Sequence, residues 1–197
     1  MQAPTYPYRK FLCNMLFNFV DLLEKNEILY TACGGTLLGA IREKGFIPWD
    51  YDVDLDILPE SRGKFMALVD RISTTPHLGT YVQYHLPMCV KLSPIVPHHL
   101  CESMGFNKST PNPTIDCFML HNKNGEYHIE ATTWPNWYYG RGELLPLRRI
   151  YFEDFSLWGP NSLEILDRYY GDWHTPKADP WPKMVKPNQA PLGPSTD

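Results

Sequence analysis

Cys33-Gly34-Gly35-Thr36-Leu37-Leu38-Gly39-Ala40-Ile41-Arg42, followed by Pro48-Trp49-Asp50-Tyr51-Asp52-Val53-Asp54-Leu55-Asp56-Ile57, sets a glycine turn just ahead of a ladder of alternating carboxylates. In a strand successive side chains point to opposite faces. Asp52, Asp54 and Asp56 then share one face, and Val53, Leu55 and Ile57 share the other. The apolar face calls for a core. On the acidic face the backbones of like charges stand about 7 Å apart, two rises of about 3.3 Å. Such charges repel unless something cationic bridges them, and a hard divalent ion with oxygen ligands is the simplest bridge.

Outward from that stretch the chain alternates helical and extended patterns. In residues 9–25, Phe11, Leu12, Met15, Leu16, Phe19, Val20 and Leu23 recur at three and four, the stripe of an amphipathic helix. Residues 28–33 read as a first strand running into Gly34-Gly35. Thr36 is placed to cap a short helix through Lys44, with Leu37, Leu38 and Ile41 inward and Gly45 as its left-handed stop. Residues 51–58 read as the second strand, ended by Pro59, and residues 61–72 as a helix.

Residues 81–85 and 89–92 suggest a hairpin, and the proline-rich stretch 94–113 a loop. Residues 114–120 read as a strand carrying Asp116, and 126–129 as another, joined by a polar turn over 122–125. Residues 147–151 and 155–157 read as paired strands. Asn161 is placed to cap a helix ending at Tyr170, with Glu164 in the capping-box position and Gly171 beyond. The expected architecture is α+β, a two-layer fold with a small mixed β-sheet flanked by helices. One domain over residues 1–174 is followed by a Pro-rich tail over 175–197.

Composition narrows the function. The net charge is −4, from 18 basic and 22 acidic residues, and no run of Lys or Arg marks a nucleic-acid groove. No stretch approaches the roughly 18 to 20 apolar residues of a membrane span, and the start lacks the pattern of a signal peptide. A cytoplasmic protein is expected, or else a catalytic domain excised from a secretory-pathway enzyme. Cys13, Cys33, Cys89, Cys101 and Cys117 are an odd set that fits free thiols in a reducing compartment. His98, His99 and Cys101 lack a fourth zinc ligand at an orthodox spacing.

The order of strand, Gly-Gly turn, helix and Asp-x-Asp strand is the layout of the nucleotidyltransferase superfamily. Within it, the run from Gly34 to Arg42, then Gly45-Phe46-Ile47-Pro48-Trp49-Asp50 and Asp52-Val53-Asp54, closely resembles the LicD family, which includes the fukutin and fukutin-related proteins. Ile115-Asp116-Cys117-Phe118 is similar to the family's third-carboxylate strand. Leu147-Arg148-Arg149 through Phe152-Glu153 and Tyr170-Gly171-Asp172-Trp173 with Pro176 resemble later blocks. Two departures stand out: Asp50-Tyr51-Asp52 replaces a common run of three aspartates, and Asp56 stands where the family often has glycine or an apolar residue. Both leave open whether Asp50 or Asp56 joins a metal site.

The resemblance implies a transferase that moves phosphocholine, phosphoribitol or a related phospho-alcohol from a CDP-linked or other nucleotide-activated donor to a carbohydrate acceptor. Asp52 and Asp54 would hold Mg2+ or Mn2+, and Asp116 would complete the shell or take the proton from the acceptor hydroxyl. Gly34 and Gly35 let the backbone approach a diphosphate at the helix start beside Thr36. Arg42, Lys91, Arg148 and Arg149 are candidates to neutralise phosphate.

Plainer readings compete. Asp116 also suits a cap or salt bridge, the lesser of its two readings, and Arg42 suits a helix C-terminus without any ligand. Trp134, Trp137, Tyr138 and Tyr139 read as packing before they read as a choline platform. At the level of activity, a glycosyltransferase using a nucleotide sugar with the same metal site is the alternative reading, and a binding homologue without turnover is the third.

Overall fold

Thr5, followed by Tyr6 and Pro7, starts the first helix earlier than the apolar stripe implies. In the computed structural model, which describes residues 4–74, 80–85, 89–94, 112–129 and 137–176, helix α1 is Tyr6–Lys25. The Thr5 hydroxyl accepts from the Tyr8 N–H at 3.5 Å, and Pro7 lies in the first turn, where no intrahelical N–H is required. The helix buries Tyr8, Leu12, Leu16, Phe19, Val20 and Leu23. The Tyr8 hydroxyl donates to the Tyr51 carbonyl at 2.8 Å, fastening the start of α1 to the entry of the acidic strand.

Strand β1 (Tyr30–Ala32) leads into α2 (Gly34–Arg42), and β2 (Asp52–Ile57) carries the aspartates. A 3-10 turn at Pro59–Ser61 opens α3 (Arg62–Thr74). Strands β3 (Thr80–His85), β4 (Cys89–Pro94) and β5 (Thr114–Lys123) complete a mixed sheet of order β1-β2-β5-β4-β3. β6 (Glu126–Ile129) and β7 (Tyr138–Tyr139) extend it from β5. Among the described strands of this sheet, only β2 and β5 run parallel; the other pairs are antiparallel. β8 (Arg148–Phe152) and β9 (Phe155–Gly159) form a separate hairpin, and α4 is Glu164–Tyr170. The expected α+β architecture with a small mixed sheet is the one observed.

The alternation in β2 sorts its two faces. Val53, Leu55 and Ile57 are fully buried, in one core with Ile115, Cys117 and Met119 of β5 and the apolar stripes of α1 and α3. At about 25 cal/mol per Å2, burial of this kind contributes about 1.5–3 kcal/mol for each large aliphatic side chain. The core is what holds the acidic face in position. No described helix is long and apolar enough to cross a membrane. Cys13, Cys33, Cys89 and Cys117 are free thiols.

Three local expectations change. Helix α2 begins at Gly34, with Cys33 as its N-cap, so Thr36 lies inside the first turn and caps nothing; its hydroxyl accepts from the Asp54 N–H at 2.8 Å. The left-handed residue closing α2 is Lys44, with φ 61°, and not Gly45. Gly45 is glycine for a steric reason, since a Cβ there would strike the Glu153 carboxylate. Asn161 does not cap α4. Its amide donates to the Gly142 carbonyl at 2.9 Å, and the Ser162 hydroxyl accepts from the Glu164 N–H at 3.2 Å. Most of the loop expected over 94–113, with His98, His99 and Cys101, lies outside the described residues, as do Trp134 and the tail from 177 onward.

Candidate active site

Asp52 and Asp54 project from β2 and Asp116 from β5. One carboxylate oxygen of each lies within 4.8 Å of the others. Parallel pairing puts Asp54 directly opposite Asp116, and antiparallel pairing puts Lys91 of β4 on the far side of Asp116. Lys91 Nζ lies 2.8 Å from Asp116 Oδ2. The other oxygen, Asp116 Oδ1, is buried without a hydrogen-bond partner. A buried carboxylate oxygen without a partner, on a residue whose carboxylate clusters with two others, is costly unless a cation meets it. Oxygen-only donors at this spacing suit a hard divalent ion such as Mg2+ or Mn2+. These three residues therefore fit the metal.

The Gly-Gly turn is built around the same carboxylates. Gly34 has φ 51°, and a Cβ on it would sit 2.5 Å from Asp54 Oδ2; a Cβ on Gly35 would sit 2.5 Å from Asp50 Oδ2. The Gly35 N–H donates to Asp54 Oδ2 at 3.2 Å, and the Cys33 N–H to the Asp54 carbonyl at 3.2 Å. Together with the Thr36 hydroxyl bond, these contacts lock Asp54 against the positive end of α2. Part of the donor capacity expected for a phosphate is thus used to hold a ligand residue.

Crowding shows in the proton affinities. Burial, then the charges of Asp52, Asp50 and Asp116, push the Asp54 carboxyl well above the usual range, against the pull of the Gly35 N–H. Burial, then the charge and hydrogen bond of Asp52, do the same to Asp50, while Tyr51 and Arg9 oppose it. Asp116 is also raised by burial, with Lys91 holding it down. Repulsion of this kind is relieved by a bound cation.

Asp56 shares the acidic face yet has a different task. It is fully buried, accepting from Trp137 Nε1 at 3.1 Å and the Tyr139 hydroxyl at 2.7 Å. Burial raises its pKa to about 6, against the donors Tyr139, Trp137 and Cys33. It is an anchor for the β6–β7 arm, and it stands outside the ligand cluster. Asp50 stands outside that cluster too, hydrogen-bonded to Asp52.

Lys91 alone among the four basic candidates faces the cluster. Arg42 donates to Glu43 at 2.6 Å and to the Trp173 carbonyl at 3.2 Å. Arg148 donates to the Pro160 carbonyl at 2.9 Å. Arg149 forms a two-pronged pair with Glu24, at 2.7 and 2.8 Å, and lies over the Trp158 ring. Trp137 and Tyr139 are packing residues, 2% and 0% exposed, whereas Tyr138 stacks on His128 and under Arg168.

The sequence profile described as LicD/FKTN/FKRP, nucleotidyltransferase domain, matches residues 27–162. The chain belongs to this family. A protein of Rickettsia typhi called uncharacterized is 28% identical over 155 residues, 78% of this chain and 43% of that one. Lipopolysaccharide cholinephosphotransferase LicD of Haemophilus influenzae is 48% identical over 71 residues, 36% of this chain and 26% of LicD. Ribitol 5-phosphate transferase FKRP of Mus musculus is 52% identical over 44 residues, 22% of this chain and 9% of FKRP. The matches thus span less than half the length of each of these relatives. The Asp52, Asp54 and Asp116 cluster and the Gly34-Gly35 turn both lie within the LicD-type match.

Proposed function

We propose that the chain is a metal-dependent transferase that moves a phospho-alcohol group, such as phosphocholine or phosphoribitol, from a CDP-linked donor to a glycan hydroxyl. The observation that carries this reading is the cross-strand carboxylate cluster, with the orphaned Asp116 Oδ1, in a chain of the LicD/FKTN/FKRP family.

Asp52, Asp54 and Asp116 would hold Mg2+ or Mn2+, and an ion there would supply neutralisation of phosphate charge. Lys91 fixes Asp116 by Oδ2 and so leaves Oδ1 for the ion. The Gly34-Gly35-Thr36 turn keeps Asp54 at the helix N-terminus, the missing Cβ atoms making room for the Asp54 and Asp50 carboxylates. Arg42, Arg148 and Arg149 act elsewhere, in fastening segments together.

The test is incubation with Mn2+ or Mg2+ and a panel of CDP-choline, CDP-ribitol, CDP-glycerol and UDP- or GDP-sugars, with a glycan acceptor present, and identification of the released nucleotide by mass spectrometry. Release of CMP is expected. Release of a nucleoside diphosphate instead would assign glycosyl transfer.

A further inference from the structure

Arg9 stands early in α1, where two hydrogen bonds bracket it against the segment that leads into the acidic strand. The residue before it, Tyr8, donates its hydroxyl to the Tyr51 carbonyl at 2.8 Å, and Tyr51 separates Asp50 from Asp52. Arg9 Nη2 donates to the Ile47 carbonyl at 3.1 Å. The Asp50 N–H donates to that same carbonyl at 3.0 Å, so the guanidinium and the Asp50 backbone meet at one oxygen. Asp50 in turn reaches the carboxylate cluster. A Cβ on Gly35 would sit 2.5 Å from Asp50 Oδ2, and the Asp50 carboxyl is hydrogen-bonded to Asp52.

The guanidinium is poorly satisfied for a side chain that is half-buried. It carries five N–H donors. Among the described residues it makes the one hydrogen bond to Ile47 and no ion pair, and its Nε is buried without a partner. Arg42 and Arg149, by contrast, each pair with a glutamate. Withdrawing a cation from water against a single neutral carbonyl is costly, and an anion beside it removes that cost.

The charges of the site call for such an anion-facing group. Asp50, Asp52, Asp54 and Asp116, when ionised, outweigh a divalent ion and Lys91 together, before any phosphate arrives. Lys91 stands at the Asp116 end of the cluster and Arg9 at the Asp50 end. We infer that Arg9 is a phosphate-binding residue, its guanidinium donating to phosphate oxygens of the metal-bound substrate on the Asp50 side of the carboxylates. An arginine suits this task because its planar fork matches two phosphate oxygens at once. Arg9 precedes the family match, which covers residues 27–162. The inference rests on the phosphate-transfer reading above, but it does not require a cytidine donor.

The test is calorimetric titration of inorganic pyrophosphate, with saturating Mn2+, into the wild type, Arg9→Gln and Arg9→Lys, alongside Mn2+ affinity and thermal melts of each protein. Pyrophosphate affinity should fall about ten- to hundredfold in Arg9→Gln, the range for a hydrogen bond to a charged group. Arg9→Lys, which keeps the charge and loses the fork, should lie between the two. Mn2+ affinity without pyrophosphate should stay the same or rise, because a cation has been removed from beside the carboxylates. Equal pyrophosphate affinity in wild type and Arg9→Gln would overturn the inference. So would a wild type that binds no pyrophosphate, or a parallel loss of Mn2+ affinity, which would make Arg9 a support for the segment that carries Asp50 and Asp52. The expected loss in a protein that turns over no CDP-linked donor would keep the phosphate contact and remove the cytidine reading. CDP-linked turnover with equal pyrophosphate affinity would do the reverse.

Discussion

Asp54 on β2 and Asp116 on β5 stand opposite one another in a parallel register, and Lys91 on β4 continues the same row beyond Asp116. Three adjacent strands thus set carboxylate, carboxylate and ammonium side by side on one face. The ammonium meets Asp116 only through Oδ2, so the charge between the two aspartates is left for a metal ion.

Asp54→Asn and Asp116→Asn should each keep the fold and lose the metal. Loss of an outer contact to a metal ligand typically costs about 10- to 100-fold in affinity, so loss of the ligand charge itself should lower Mn2+ affinity by about 100-fold or more. Without metal, relief of like-charge crowding should leave the melting temperature of Asp54→Asn unchanged or higher by about 2–4 °C, the equivalent of about 1 kcal/mol at this size, whereas Asp116→Asn also loses the Lys91 ion pair and should not gain. Calorimetric Mn2+ titration and thermal melts check both halves.

Gly34→Ala should cost about 1–2 kcal/mol from the positive φ alone, and it should weaken Mn2+ binding because the new Cβ displaces the Asp54 carboxylate. Gly63, in α3, has nothing within 4 Å of the position a Cβ would take. Gly63→Ala should therefore stabilise the protein by about 0.5–1 kcal/mol and leave Mn2+ binding alone. Denaturant midpoints of the two variants should move in opposite directions.

Tyr139→Phe removes a 2.7 Å bond to the buried Asp56 carboxyl. The expected loss is about 1.5–3 kcal/mol, seen in urea unfolding at neutral pH, with Mn2+ affinity little changed because Asp56 is outside the ligand cluster. A Tyr139→Phe protein as stable as the wild type would show that Asp56 does not depend on this donor.

Glu24 and Arg149 give a pH signature. The Arg149 hydrogen bond, opposed by burial, holds the Glu24 carboxyl below its usual value. A lowered folded-state pKa means that the stabilisation is complete above the unfolded pKa of about 4.3 and is lost as pH falls through the lower folded value. Both side chains are about a third or more exposed, so the gap between wild type and Glu24→Gln should be no more than about 1 kcal/mol at pH 7. It should close in melts taken below about pH 4.

Much of the architecture was legible where periodicity is local. The stripe of α1, the two faces of β2 and the strand carrying Asp116 follow from spacing alone, and the Asp-x-Asp spacing pointed to the carboxylate cluster of the candidate site. Boundaries moved where a single tertiary bond decided them, as when the Thr36 hydroxyl went to the Asp54 N–H and not to its own helix. The pairings that fix the arginines and aromatics left no local pattern. Arg149 meets Glu24 across 125 residues, Arg42 meets Trp173 across 131, and Trp137 meets Asp56 across 81. Asp56 has the same spacing signal as Asp54, and only the indole and phenol above it separate an anchor from a ligand.

The most direct test of the central claim is CMP release from CDP-choline, CDP-ribitol and CDP-glycerol in the presence of Mn2+ and a glycan acceptor, measured side by side for the wild type and a folded Asp54→Asn protein. The account predicts metal-dependent CMP from at least one donor with the wild type and none above background with the variant. CMP release by Asp54→Asn at the wild-type rate, or turnover by the wild type that survives complete chelation of metal, would contradict it.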